Sequence, residues 1–255
     1  SLSSASIAAS AGFKIIGENY GYVGAYENTL SGVGDVNGDG YADILVSNLK
    51  GNGDPGSAYL IYGASSNNGV NLAGNTIAPS QGFRIWKGTE RFGHSVSGAG
   101  DVNGDGYSDF IMGARETGKS FVVFGGTSLA NLNFANPVAA SQGFEIIGAG
   151  PQELGQSVSG AGDVNGDGLA DLVMTAQGNS NKVYVVYGTA TPSNVNVTTM
   201  ALSQGFSVTG DVYFGNRVAS AGDFNGDGYG DMLMADVSIG WGGDVYVAVS
   251  YTHLT

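Results

Sequence analysis

One nine-residue pattern occurs four times in this chain at nearly constant spacing, and any fold must accommodate it. The copies are Asp35-Val36-Asn37-Gly38-Asp39-Gly40-Tyr41-Ala42-Asp43, then residues 101–109, 163–171 and 223–231. Their first residues, Asp35, Asp101, Asp163 and Asp223, lie 66, 62 and 60 residues apart. A repeat of that length is one supersecondary unit that buries its apolar faces only against its neighbours. Other features keep the same phase. A Gly-Phe segment opens each unit, at 12–17, 82–88, 143–148 and 205–210. A segment of small residues precedes the loop, as in Phe92-Gly93-His94-Ser95-Val96-Ser97-Gly98-Ala99-Gly100, and again at 154–162 and 214–222. Behind each loop comes an apolar run (Ile44-Leu45-Val46, Phe110-Ile111-Met112, Leu172-Val173-Met174, Met232-Leu233-Met234), then an alternating one at 58–62, 121–124, 183–187 and 245–249.

Short apolar runs bounded by Gly-rich turns read as buried strands. Each unit therefore predicts about four short strands and no helix, which is the make-up of a propeller blade. The expected fold is all-β: a single propeller segment over 1–255, with repeats at approximately 12–70, 82–130, 143–192 and 205–250. A β-sandwich is the competitor, but near-identical units in series fit it poorly. The small residues Ser97-Gly98-Ala99-Gly100 suit the innermost strand, where blades crowd toward the axis.

The loop itself is built from oxygen. Positions 1, 3, 5 and 9 carry Asp35, Asn37, Asp39 and Asp43 in the first copy. The second has Asp101, Asn103, Asp105 and Asp109, and the third Asp163, Asn165, Asp167 and Asp171. The fourth has Asp223, Asn225, Asp227 and Asp231. Hard cations such as Ca²⁺ take about 6–8 oxygen ligands, mixing carboxylates, a backbone carbonyl and water. Position 7 is Tyr41, Tyr107, Leu169 and Tyr229, so only its carbonyl is a shared candidate ligand. Glycine at positions 4 and 6 permits a tight coil. The start looks like an EF-hand loop, D-x-[DN]-x-[DN]-G. An EF-hand needs Glu at position 12, where this chain has Val46, Met112, Met174 and Met234. The same departure disfavours a dockerin-like module. One copy alone would pass for turn chemistry, since Asp, Asn and Gly favour tight turns. Four copies, each with three crowded carboxylates, point to four Ca²⁺ sites in a β context.

Composition adds limits. Glycine is abundant at 45 residues but lacks a three-residue period, and proline is only 5, so collagen is excluded. The formal charge is −13, yet the loops hold 12 of the 22 acidic residues. Four divalent ions would bring the balance to about −5, so the acidity says little about partners. The 9 basic residues are dispersed and leave no footprint for nucleic acid. Cysteine is absent, which excludes disulfides and thiolate-held zinc. Weak calcium loops make sense where Ca²⁺ is abundant, so the expected location is secreted or cell-surface. No apolar run approaches the roughly 18 residues of a membrane span, and no insertion is expected. No signal peptide is visible and residue 1 is Ser, so the chain reads as part of a longer multidomain protein. The tail Tyr251-Thr252-His253-Leu254-Thr255 matches nothing in the other repeats.

The pattern Phe-Gly-x-Ser-Val-Ser-Gly-Ala-Gly-Asp-x-Asn-Gly-Asp-Gly-x-x-Asp resembles the FG-GAP repeat, the blade unit of the integrin α-subunit N-terminal propeller. The wider unit, with Ser-Gln-Gly-Phe and Val-Val-Phe-Gly, is similar to versions in large secreted bacterial surface proteins. The resemblance covers residues 12 to about 250. It implies a propeller, commonly seven-bladed, with Ca²⁺ in the loop after the inner strand and ligands on the opposite face; propellers span roughly four to eight blades. The four repeats would then form an arc of a larger ring. The alternative is a closed four-bladed ring in which the Gly-Phe strand at 12–17 completes the last blade. Repeat 1 departs from the pattern, with Tyr26-Glu27 where the others have Phe-Gly or Leu-Gly.

Catalysis has little to stand on. His94 occupies the position of Asn28, Gln156 and Asn216 in the other repeats, which makes it a polar loop residue, and His253 lies in the tail. Glu18, Glu27, Glu90, Glu116, Glu145 and Glu153 share no phase, whereas a glycosidase needs two facing acids. Trp86 and Trp241 stand out of register with the repeats. With Lys87 or Arg91 nearby they are the candidate contacts to a protein or glycan ligand, set against packing between blades. The reading is a non-enzymatic, calcium-binding adhesion or recognition module. A propeller attached to a secreted hydrolase, and an enzyme with its site at the propeller axis, are the alternatives.

Overall fold

The computed structural model describes residues 12–17, 23–24, 29–49, 56–66, 69–88, 92–134, 138–150, 154–176, 181–211, 214–236 and 243–249. Its blades follow from the apolar runs. In the first sheet, β2 (Leu30–Gly34), β3 (Asp43–Asn48), β4 (Ser57–Ile61) and β6 (Gly82–Trp86) run antiparallel in that spatial order. The second repeats it with β7 (Ser95–Gly100), β8 (Asp109–Ala114), β9 (Lys119–Val123) and β11 (Gly143–Ile147). The third has β12 (Leu154–Gly162), β13 (Asp171–Ala176), β14 (Lys182–Val186) and β16 (Gly205–Thr209). The last has three strands among the described residues: β17 (Arg217–Gly222), β18 (Asp231–Ala235) and β19 (Val245–Ala248). No α-helix occurs among the described residues; one short 3₁₀ turn, Arg115–Thr117, links β8 to β9.

The sequence unit and the blade are offset by one strand. The Gly-Phe strand that opens each of the last three units forms the fourth strand of the preceding blade: Phe83 stands opposite Leu60, Phe144 opposite Val122 and Phe206 opposite Val185. A fifth, two-residue strand then adds in parallel outside it. β10 (Leu132–Asn133) pairs with β6, and β15 (Val195–Asn196) with β11. At the first end, β1 (Ile15–Ile16) and β5 (Val70–Asn71) form the same parallel pair by themselves.

The core lies between blades, as a radial array requires. Middle strands are buried on both faces and alternate their allegiance. Phe110, Met112, Phe121 and Val123 pack toward the first blade, whereas Ile111 and Val122 pack toward the third. Phe92, Phe121 and Phe134 form one aromatic cluster, with ring centroids 4.9–5.7 Å apart. The small-residue strands β2, β7, β12 and β17 sit side by side as the innermost strands, as expected from their composition. Serine hydroxyls bridge them, with Ser95 Oγ donating to the Gly155 carbonyl at 3.1 Å and the Val218 amide donating to Ser157 Oγ at 3.2 Å. The blades therefore stand as expected; the ring is open among the described residues, with β1 paired to β5 and not to β19.

Candidate functional site

Each nine-residue loop joins an inner strand to the second strand of its blade. A register shift between Gly32 and Gly34, repeated at Gly98/Gly100, Gly160/Gly162 and Ser220/Gly222, turns the chain into the loop. The position-1 carboxylate then acts as a hub. Asp35 Oδ1 accepts the Gly38 and Asp39 amides at 2.8 and 3.1 Å, and its Oδ2 accepts the Gly40 amide at 2.8 Å. Asn37 Oδ1 accepts the Asp39 amide at 3.0 Å, while its Nδ2 donates to Asp39 Oδ2 at 2.9 Å. Asp39 Oδ1 accepts the Tyr41 amide at 2.9 Å. The same bonds recur around Asp101, Asn103 and Asp105, around Asp163, Asn165 and Asp167, and around Asp223, Asn225 and Asp227. The coil places the position-4 glycines at φ 74–78° and the position-6 glycines at φ 87–91°, a region costly for any residue with a Cβ.

Position 9 behaves differently. Asp43, Asp109, Asp171 and Asp231 are at most 1% exposed, each the first residue of a buried strand. Their Oδ2 atoms accept the position-2 amides of Val36, Val102, Val164 and Phe224 at 2.8–2.9 Å. In the first three blades Oδ1 also accepts the amide of Gly63, Gly125 or Gly188 at 2.8 Å, tying the loop to the segment beyond the third strand. Burial raises the Asp43 carboxyl above its ordinary range and pushes those of Asp109 and Asp171 up to about 7. The two amide bonds oppose that shift, and the carboxylates at positions 1 and 5 reinforce it.

Neighbouring loops are stitched into a row. The position-8 amides of Ser108, Ala170 and Gly230 donate to the position-1 carbonyls of Asp35, Asp101 and Asp163, at 3.2, 2.9 and 2.6 Å. The side chains of Tyr107, Leu169 and Tyr229 lie against Gly38, Gly104 and Gly166 of the preceding loop; the two tyrosine rings leave no room there for a Cβ, and the Leu169 methyl leaves little. This role for position 7 was not legible in the pattern, because the contact is made to a different repeat.

Ca²⁺ is the ion the loops imply, and the donor set fits a hard cation in kind: carboxylates, carboxamide and carbonyl, with no nitrogen or sulfur. In the first three loops, no basic side chain pairs with these carboxylates among the described residues. The side chains stand apart, however. Among the described residues no group of three or more His, Asp or Glu is gathered closely enough to hold a metal ion.

Of the other candidates, Trp86 ends β6 at the rim opposite the loops. It is half-buried, with the Arg84 guanidinium 5.0 Å from its ring centroid. Lys87 turns inward, donating to the Phe134 carbonyl at 2.9 Å and sitting 4.7 Å from the Phe121 ring centroid. Glu145 is engaged by Lys119 at 2.5 Å. Trp241, Arg91, Glu18, Glu27, Glu90, Glu153 and His253 lie outside the described residues. No helix among the described residues is long and apolar enough to cross a membrane.

Comparison with known proteins agrees with this architecture. The FG-GAP-like repeat model matches residues 163–234, and the FG-GAP repeat model matches 28–61 and 92–123, together more than half of the chain. Integrin alpha-V of Gallus gallus is 28% identical over 222 residues, 79% of this chain and 19% of that protein. Integrin alpha-PS2 of Drosophila melanogaster is 29% identical over 185 residues, 68% of this chain and 13% of its own. Integrin alpha-M of Mus musculus is 42% identical over 95 residues, 34% of this chain and 8% of its own. The chain thus spans at most about a fifth of the length of these curated relatives. Sheets stacked about inner strands, loops of one pattern and these matches agree: the chain belongs to the FG-GAP repeat family and is an integrin α-like propeller array.

Proposed function

We propose that the chain is an extracellular recognition module of the adhesion type, braced by one Ca²⁺ in each of its four loops, and that it is not an enzyme. The observation that supports the reading is the fourfold repetition of one oxygen-rich loop, with the same internal hydrogen bonds, along a single rim. When bound, the ion supplies positive charge to three crowded carboxylates. The ligands from each loop are the side chains at positions 1, 3, 5 and 9 and the carbonyl at position 7: Tyr41, Tyr107, Leu169 or Tyr229. The exposed carboxylates at position 5 would exchange their bonds to the position-3 carboxamide and the position-7 amide for the ion, while the buried position-9 carboxylate is already held at the floor of the loop. Recognition of a protein or glycan falls to the other rim. Connections there differ in length from blade to blade, from the 3₁₀ turn at Arg115–Thr117 between β8 and β9 to the longer separation of β18 from β19. Loops on a rigid scaffold are the usual carriers of binding. The integrin relatives support a surface location and a protein ligand.

Calcium stoichiometry by calorimetry, paired with melting curves in Ca²⁺ and in EGTA, tests the metal half. Four ions and a clear rise in Tm are expected, and zero bound ions would end the reading. Binding of the immobilised chain to extracellular proteins and to a glycan array tests the other half. Loss of a captured ligand on Trp86→Ala, with calcium stoichiometry intact, places the contact on the far rim.

A further inference from the structure

Equivalent grooves between consecutive blades differ in what fills them. Between the first and second blades Phe134 is buried against Phe92 and Phe121. The Lys87 ammonium closes over the Phe121 ring and donates to the Phe134 carbonyl, and Glu145 neutralises Lys119 at the start of β9. Strand pairing gives the counterparts in the next groove. Asn133 stands opposite Trp86 as Asn196 stands opposite Ile147, so the residues that follow correspond: Val197 takes the place of Phe134, and Gly148 that of Lys87. Ser207 lies opposite Tyr184 as Glu145 lies opposite Phe121, and Lys182 opens β14 as Lys119 opens β9. Three fillers of the first groove are thus replaced by smaller residues in the second. What remains between the second and third blades is a cavity of about 570 Å³, with Lys182, Tyr184, Val197, Thr198, Met200 and Ser207 among its walls. Lys182 pairs with Ala176, the last residue of β13, and so stands at the rim away from the oxygen-rich loops. No carboxylate pairs with it among the described residues.

We propose that this cavity takes one carboxylated sugar residue, a hexuronate, of an acidic glycan. The proposal rests on the reading of the chain as a recognition module and names the ligand class for one site on it. The volume suits a small ligand, for which pockets of about 300–1,000 Å³ are usual, and apolar walls with a few convergent polar groups are their common form. Each part of a hexuronate has its partner. The Lys182 ammonium offers a charge-assisted bond to the carboxylate, in the place where Lys119 already binds that of Glu145. Thr198 Oγ1 donates to Asn196 Oδ1 at 2.7 Å, which leaves its lone pairs to accept a sugar hydroxyl. The Ser207 hydroxyl can donate or accept on the opposite wall. Tyr184, Val197 and Met200 supply the apolar floor for the C–H face of the ring. An acidic peptide fits less well, because one Asp or Glu side chain would reach Lys182 and leave most of the volume unfilled.

Calorimetric titration of the whole chain in Ca²⁺ with D-glucuronate, D-glucose and an oligoglutamate peptide tests this. Glucuronate should bind at least about tenfold more tightly than glucose, with a margin that shrinks in high salt. K182Q should abolish that margin. V197F, which restores the phenyl ring of the first groove, and S207E, which gives Lys182 the partner that Lys119 has, should each weaken glucuronate binding at least about tenfold. Both variants copy residues that the neighbouring groove already accommodates, and an unchanged melting curve confirms that they fold. Absence of glucuronate binding, equal binding of glucose, or binding that survives V197F and S207E overturns the proposal. A preference for oligoglutamate does so as well, since it makes the cavity a protein site. A chain that captures extracellular proteins but no glucuronate keeps the recognition reading and loses only this assignment, whereas one that captures nothing loses both.

Discussion

The two kinds of aspartate in each loop do different work, and substitution separates them. Asp171 is buried and accepts the Val164 and Gly188 amides, so Asp171→Ala strands two buried donors. A loss of about 2–5 kcal/mol is expected in urea melts even in EGTA. Asp167 is exposed at position 5. Asp167→Ala should change stability in EGTA by less than about 1 kcal/mol and lower the calcium stoichiometry from four to three. Glycines allow a second comparison. Gly166 and Gly226 share nearly the same backbone, φ 78° and 77°, but only Gly166 has the next loop's Tyr229 ring against it. Gly226→Ala should cost about 1–2 kcal/mol from the left-handed backbone alone. Gly166→Ala should cost at least about 1 kcal/mol more. Equal losses would mean that the ring contributes nothing.

At the scale of strands, the inter-blade core sets the stability. Phe121 is fully buried in contact with Phe92, Phe134 and the Lys87 ammonium. Phe121→Ala should cost about 3–5 kcal/mol and loosen the first blade from the second, read as faster amide exchange in both β4 and β9. A loss of protection limited to β9 would argue against packing between blades as the source. The apolar runs announced the strands, and the two-sided burial of β8 and β13 explains why those runs are continuous rather than alternating. The two-residue strands β5, β10 and β15 were not legible, since Val70-Asn71, Leu132-Asn133 and Val195-Asn196 are too short for any periodicity. Their signal was the recurrence of an aliphatic residue before Asn about ten residues ahead of each later Gly-Phe segment.

For the whole molecule, the loops work as a row and not as four isolated sites. On the calcium-braced reading proposed above, each filled site would contribute RT ln(1 + [Ca²⁺]/Kd), on the order of 1–2 kcal/mol at about 10–20 Kd, so four sites would add several kcal/mol. The expected outcome is a Tm that falls steeply in EGTA and recovers with added Ca²⁺. The amide-to-carbonyl links from Ser108 to Asp35, Ala170 to Asp101 and Gly230 to Asp163 predict more, because ordering one loop orders the next. Titration isotherms should therefore deviate from four identical independent sites.

What the amino-acid order determined by itself was the repeated pattern that acts locally. The in-phase loops, apolar runs and small-residue strands specified an all-β array of blades, because side-chain period and turn chemistry act locally and recur with the unit. The oxygen-rich positions 1, 3, 5 and 9 were equally plain. Tertiary structure decided what depends on neighbours. It assigned each Gly-Phe strand to the preceding blade, buried position 9 while leaving positions 1, 3 and 5 near solvent, and laid position 7 on the adjacent loop. These outcomes turn on partners that the local pattern does not name, roughly 20 positions away for the Gly-Phe strands and the buried carboxylates and more than 60 for position 7, which only the packed array brings within reach.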